Sequence, residues 1–190
     1  RADRDESRHF LGISPDSFVV CSFGFLQSFK LCHRLLQAWL NSPQAKDERC
    51  HLIFVGETSG GPYGESLLEL IKAAPRKDGV RLTGWVSQDQ FRMYLAAADC
   101  AVQLRTSSRG ETSRVVLDTL YHGLPTIVNA NGSMSEYPDD VLIKLDDNFD
   151  EAELIASLER LRHDESHRAR LGVAARSYIS DKHAPMKIGR

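Results

Sequence analysis

The chain has 190 residues, 42% of them hydrophobic and 26% charged, which is an ordinary globular composition and excludes disordered, collagen-like and low-complexity classes. Its 24 Lys and Arg against 26 Asp and Glu give a net charge of −2, so neither a nucleic-acid surface nor a broad anionic-membrane surface is expected, although one small cationic pocket remains compatible with that balance. The longest apolar run, Met93 to Ala98, is far too short to span a bilayer, and no transmembrane segment is expected.

Apolar periodicity then alternates between strand-like and helix-like segments. Phe18 to Phe23 is a nearly continuous β-prone run ending at Gly24, as expected of a strand buried on both faces. Leu31 to Leu40 repeats apolar residues at helical spacing and stops at Asn41-Ser42-Pro43. His51 to Val55 is a second strand closed by Gly56, and a glycine-rich loop leads to a helix from Glu65 to Ala74. Val80 to Gly84 reads as a short strand, with Ser87 as N-cap of a helix from Gln88 to Ala98. Cys100 to Leu104 is the next strand and Ser113 to His122 the next helix, stopped by Gly123 with Pro125 beyond. Strands at Thr126 to Asn129 and Val141 to Leu145 follow, then helices at Asp150 to Arg162 and Glu165 to Ile179. The first eight residues, Arg1 to Arg8, are mostly charged and carry no export signal.

This alternation specifies one α/β domain over residues 1–190, a Rossmann-like parallel sheet with helices on both faces. Four cysteines at irregular spacing (Cys21, Cys32, Cys50, Cys100) suggest buried thiols in a reducing, cytoplasmic setting rather than zinc ligands or a disulfide framework. The histidines form no HxH or HExxH pattern, and GxGxxG, P-loop and GxSxG motifs are absent. Asp99, between a helix and a strand, reads as structural, and Asn129 to Ser133 as a polar turn.

In such a sheet ligands sit beyond the carboxyl ends of the strands. After the first strand, Gly24 lets the backbone turn tightly, and Lys30 places an ammonium at the start of the following helix or else is simply solvated there. After Leu104 comes Arg105-Thr106-Ser107-Ser108-Arg109-Gly110-Glu111-Thr112-Ser113, rich in arginine and hydroxyls and ending in a helix. Free helix amides and arginine make an anion site, compatible with Thr112 or Ser113 serving only as a cap. Glu111 would repel a bound phosphate and is better suited to accept hydrogen bonds from sugar hydroxyls. Asp118 lies seven positions further on, about 10 Å if a helix connects the two.

Phe23 to Lys30, Leu52 to Gly56, Val80 to Val86, Tyr94 to Asp99 and Gly110 to Pro125 together resemble the C-terminal, donor-binding half of a GT-B glycosyltransferase. The family is the large retaining one (group 1, family 4) that includes sucrose synthases and bacterial polysaccharide enzymes, and the similarity runs from about Phe10 to about Tyr178. The resemblance implies that Lys30 and Arg105 neutralise a nucleotide diphosphate near Gly24 and Phe25. It further implies that Glu111 holds sugar hydroxyls beside Gly110, Thr112 and Ser113, that Asp118 accepts from the ribose, and that Trp85 and Val86 border the base. Two departures stand out. Phe25 occupies the place of a usual arginine, with Arg105 or Arg109 as replacement, and Gly110 and Asp118 fall on the usual glutamate pair with Glu111 displaced by one. The implied activity is retaining transfer from a nucleoside-diphosphate sugar to an acceptor glycan or glycolipid, with no metal or other cofactor. The chain, which opens at Arg1 rather than Met, is then expected to be one half of an enzyme whose N-terminal acceptor domain is missing, inactive by itself. The whole enzyme would be cytoplasmic and peripheral to the inner membrane. A non-catalytic nucleotide-sugar module and an epimerase-like relative are the rival readings.

Overall fold

The structure, a computed structural model, describes residues 2–58, 60–107 and 113–182. Its elements in chain order are α1 (Arg4–Phe10), β1 (Phe18–Phe23), α2 (Cys32–Asn41), β2 (Cys50–Val55), α3 (Gly61–Lys72), β3 (Val80–Leu82), α4 (Gln88–Ala97), β4 (Cys100–Gln103), α5 (Arg114–His122), β5 (Thr126–Asn129), β6 (Ile143–Leu145), α6 (Glu151–His163) and α7 (Glu165–Lys182). The strands form one six-stranded sheet in the order β3-β2-β1-β4-β5-β6, and every pairing is parallel. This is the Rossmann-like α/β fold expected from the sequence.

Alternation along the strands divides the core. Val20, Leu52, Phe54, Val102 and Ile127 face one side, packed with α2, Leu67 of α3 and Leu154, Leu158 and Leu161 of α6. Val19, Cys21, Phe23, Ile53, Val55 and Ala101 face the other, against α4. Val116 and Leu120 of α5 pack with Val128 and with Ala175 and Ile179 of α7 in a third cluster. Strands β2, β4 and β5 are buried along their whole length and β1 at all but Ser22, which is why they read as nearly continuous apolar runs rather than alternating ones. All four cysteines are buried and free.

Helix ends follow local chemistry. Ser87 and Asp150 each form a capping box with the Gln90 or Glu153 side chain, and Gly123 ends α5 in the left-handed conformation. Element ends shift by two or three residues at β3, α3 and α7, which end at Leu82, Lys72 and Lys182, and two starts differ by two residues or more. Helix α3 starts at Gly61, inside the glycine-rich loop, with Pro62 in its first turn, and β6 starts at Ile143 because Val141 and Leu142 are buried in a turn instead.

Helix α1 is the element the apolar pattern does not announce. Asp3 caps it by accepting from the Asp5 and Glu6 amides, yet its buried residues are Ser7 and Arg8. Arg8 is 1% exposed. Its guanidinium donates to the carbonyls of Ala97, Ser14, Pro15 and Ser17 and to Asp99 at 2.9 Å. Asp99 also accepts from Arg4 at 2.6 Å and from the Val19 amide at 2.7 Å. One aspartate therefore joins α1 to the start of β1 and the end of α4, the structural role expected of it. Burial pulls the Arg8 pKa below the ordinary arginine value, against the opposing pull of Asp99.

Removing Asp99 would leave a desolvated cation without its counter-charge. Asp99→Ala is expected to cost about 3–5 kcal/mol of stability, as for other broken buried ion pairs, read from the urea midpoint; a cost under about 1 kcal/mol would mean that the backbone carbonyls alone hold Arg8.

Candidate functional site

The strand order reverses direction between β1 and β4, so their carboxyl ends open the crevice in which ligands of such sheets bind. The loops after β1, β2 and β3 are stitched together there. Gly24 donates its amide to Val55 at 2.9 Å, Leu26 donates to Glu57 at 2.7 Å, and the Gly56 amide donates to the Thr83 hydroxyl at 3.1 Å.

Gly24 has φ +97°, and a Cβ there would lie 2.5 Å from Lys30 Nζ. Absence of a side chain at Gly24 is thus what lets the ammonium fold back over the end of β1. Lys30 closes a short 3-10 turn, Ser28–Lys30, and the next residue, Leu31, has φ 52°. Leu31 is the only non-glycine with positive φ among the described residues, a conformation that costs roughly 1–2 kcal/mol. It reverses the chain so that α2 can start at Cys32, directly behind the ammonium. Nothing in the sequence signals this strained leucine.

From the other side of the crevice, the Thr106 amide donates to the Phe29 carbonyl at 2.8 Å. That bond fastens the loop after β4 to the residue before Lys30 and brings Arg105 beside it. Burial lowers the Lys30 pKa below the ordinary lysine value; Cys32 opposes this, and the Arg105 cation adds to it. Lys30 and Arg105 thus stand on loops fastened to one another, and among the described residues neither forms an ion pair with a carboxylate. Such a pair attracts an anion, more so beside a helix N-terminus.

The remaining expected residues are distributed around this centre. Phe25 is 42% exposed and Trp85 73% exposed, while Val86 packs with Phe91 and Val115 against the cluster that contains Phe23. Ser113 is the N-cap of α5 and accepts from the Val116 amide at 3.5 Å. Asp118 lies in a groove of about 360 Å³ between α4 and α5, with Gln88, Phe91 and Arg114, and its carboxylate is 3.9 Å from the Arg114 guanidinium. Helix α5 begins at Arg114, and the expected spacing between Glu111 and Asp118 involves a residue outside the described ones. Gly110, Glu111, Thr112 and Arg109 lie outside the described residues. Among the described residues, no three His, Cys, Asp or Glu side chains group as metal ligands.

A further group of residues at this edge lies in Asn129 to Ser133, a turn by its sequence. Asn129, fully buried, accepts from the Arg105 amide at 2.8 Å and donates to the Arg105 carbonyl at 2.7 Å and to Asp147 at 2.7 Å. Asn131 donates to the other oxygen of Asp147 at 3.0 Å and to the Thr106 carbonyl at 3.3 Å. A buried asparagine closing a strand was the available signal, since a buried amide must find partners.

The sequence matches the family model for glycosyl transferases group 1 over residues 3–178. The chain belongs to the group 1 glycosyltransferases. Among curated proteins no sequence match is found. Among solved structures, the chain is similar to Anabaena HepE in complex with UDP-glucose, at 21% identity and TM-score 0.81, covering 94% of this chain and 48% of that one. It also resembles the C-terminal domain of the group 1 protein LpcC from Francisella tularensis, at 14% identity and TM-score 0.81, covering 98% and 95%. A third similar structure is sucrose-phosphate synthase from Thermosynechococcus elongatus, at 19% identity and TM-score 0.80, covering 94% and 44%. The chain therefore spans about half the length of HepE and the full domain of LpcC. No helix among the described residues is long and apolar enough to cross a membrane.

A desolvated ammonium beside a guanidinium works against the empty fold. Lys30→Met keeps the stem and removes the charge, and is expected to stabilise the ligand-free chain by about 0.5–2 kcal/mol. Because the native Lys30 pKa is depressed, its penalty is full below the native value and shrinks as pH rises toward the ordinary 10.5. Urea midpoints measured from neutral to alkaline pH should show the gain narrowing across that window; a lower midpoint for Lys30→Met at neutral pH would show the ammonium to be stabilising.

Proposed function

We propose that this chain is the donor-binding half of a retaining group 1 glycosyltransferase of the family 4 type, and that it holds a nucleoside-diphosphate sugar at the crevice between β1 and β4. The observation that carries this reading is the Lys30 ammonium folded over Gly24, with the loop that bears Arg105 fastened to the residue before it. Family membership supports glycosyl transfer, and HepE, of the same fold, was crystallised with UDP and with UDP-glucose. The diphosphate would lie against Lys30 and Arg105, the sugar against Glu111, Thr112 and Ser113, the ribose toward Asp118, and the base toward Trp85 and Val86.

The chemistry suits these groups. Breaking the bond between the anomeric carbon and the phosphate oxygen leaves the electron pair, and hence negative charge, on the departing nucleoside diphosphate. Cations fixed where that charge develops lower the barrier without reorganising. Lys30 and Arg105 would do so without a metal ion, while Glu111 orients the electron-poor sugar through its hydroxyls. An acceptor, a growing polysaccharide or a glycolipid, would be brought by the half that HepE possesses and this chain does not span. The setting this implies is a cytoplasmic enzyme of polysaccharide or glycolipid synthesis, working at the inner face of the membrane. The second reading, a nucleotide-sugar module without turnover, rests on the displaced acid: Glu111 stands one place from the family position, where Gly110 falls.

Calorimetry with UDP, GDP and ADP, and with their sugar conjugates, tests the site. Lys30→Ala is expected to weaken nucleotide binding by about 1.5–3 kcal/mol, the range for a hydrogen bond to a charged group. Unchanged affinity would remove Lys30 from the site. Glu111→Gln is expected to leave the free nucleotide unaffected and to weaken the sugar conjugate; equal loss for both ligands would contradict its sugar-holding role. Sugar transfer after the acceptor half is joined to the chain decides between enzyme and binding module.

A further inference from the structure

Two like charges at the mouth of a crevice repel, and the Arg105 side chain hangs from a loop. Something must resist their separation before any anion arrives. The Phe29–Thr106 bond fixes one point of that loop, but Arg105 itself is gripped from the opposite strand.

Asn129 closes β5, next to β4 in the sheet. Its carboxamide spans both backbone groups of Arg105, accepting from the amide at 2.8 Å and donating to the carbonyl at 2.7 Å. This reciprocal pair fixes both position and rotation of the residue, as one bond would not. The orientation of the carboxamide is forced by its partners: a carbonyl and a carboxylate require donors, so the nitrogen faces them and the oxygen faces the Arg105 amide. Asp147 then locks the clamp, taking Asn129 on one oxygen at 2.7 Å and Asn131 on the other at 3.0 Å. Asn131 grips Thr106, one residue along the same loop. Asn129 is fully buried and Asp147 exposed, so one carboxylate at the surface organises two amides that hold adjacent residues of the phosphate loop.

We infer that Asn129, locked by Asp147, is a positioning residue that holds Arg105 against Lys30, so that cations from two different strands meet one diphosphate. The inference rests on the reading of Lys30 and Arg105 as the diphosphate-binding pair. The clamp touches no ligand; it acts through the Arg105 backbone.

The test uses the full chain with Arg105→Ala, Asn129→Ala, Asp147→Ala and the double variant Arg105→Ala/Asn129→Ala. Two quantities are read: the titration of Lys30, followed by NMR of 13C-labelled lysine side chains, and the affinity for inorganic pyrophosphate by calorimetry. Removing Arg105 takes a cation away from Lys30, so the Lys30 pKa should rise in Arg105→Ala. Freeing Arg105 should raise it in Asn129→Ala and, to a smaller extent, in Asp147→Ala, with no further rise in the double variant. A direct field effect has the opposite sign for Asp147→Ala, because loss of a nearby anion lowers a lysine pKa. Pyrophosphate affinity should fall about tenfold in Arg105→Ala and by a similar factor in Asn129→Ala, the low end for a contact to a charged group, and again no further in the double variant. Because Asp147 is at the surface, its variant keeps the test open if Asn129→Ala does not fold. A Lys30 pKa that stays or falls in both clamp variants while rising in Arg105→Ala overturns the inference. The expected titrations without any pyrophosphate binding to the unmodified chain would uphold the clamp and overturn the diphosphate reading.

Discussion

The carboxyl edge of this sheet is organised by a side chain that is not there. At Gly24 a Cβ would meet Lys30 Nζ at 2.5 Å, and the φ of +97° is one that other residues adopt only under strain. A Cβ at Gly56 would in turn run into the Gly24 carbonyl. These two glycines let the loops after β1 and β2 lie against each other and leave room for the tip of Lys30. The strained Leu31 and the start of α2 at Cys32 are consequences of bringing that tip back. Backbone strain of this kind persists only where the surroundings over-determine it, and here the surroundings are a buried β1 on one side and a buried α2 on the other.

The net charge of −2 averages over two ends of the sheet that treat cations in opposite ways. At the amino ends guanidinium groups are answered by carboxylates: the buried Arg8 and the exposed Arg4 by Asp99, the partly buried Arg162 by Asp47. These pairs fix where helices meet strands, and for Arg8 desolvation is offset by bonds to four carbonyls and to Asp99. At the carboxyl ends the loops that bear Lys30 and Arg105 are joined through the Thr106–Phe29 bond, with no carboxylate paired to either cation among the described residues. The first arrangement joins helices to strands; the second, on the proposed reading, works against the fold until an anion arrives. A sequence-wide count conceals this, because it does not distinguish cations that have a carboxylate partner from those that do not.

That asymmetry also explains how much could be read from the residues alone. Every strand from Phe18 to Asn129 was legible because parallel strands buried on both faces are unbroken apolar runs, and capping residues such as Ser87 and Gly123 mark helix ends by the same chemistry wherever they occur. Helix α1 was not legible as an apolar pattern because its inward face is a serine and a guanidinium rather than a hydrophobic stripe; its Asp3 cap and its acidic-then-basic turns were the usable signal. Lys30 and Arg105 were legible as candidates from their place after strands, but their proximity depends on the Thr106–Phe29 bond, which joins residues 77 positions apart and leaves no local trace. Asn129 resembles a turn residue in sequence and differs from one only in being buried against another strand's loop.

On the proposed reading, the exposed Phe25 marks a change in how the phosphate site is built. Where the family usually carries an arginine next to the loop glycine, this chain carries a phenyl ring, 42% exposed, and the second cation comes from the loop after β4. With both charges on one short loop, their spacing is fixed by a few consecutive dihedrals. With the charges on β1 and β4 loops, the spacing depends on strand pairing, on the Thr106–Phe29 bond and on whatever holds Arg105 from behind. A site divided in this way tolerates loss of the local arginine but makes residues of a third strand matter to the charge pair. Asn129 at the end of β5 and Asp147 beyond β6 are the residues that the geometry puts in that position.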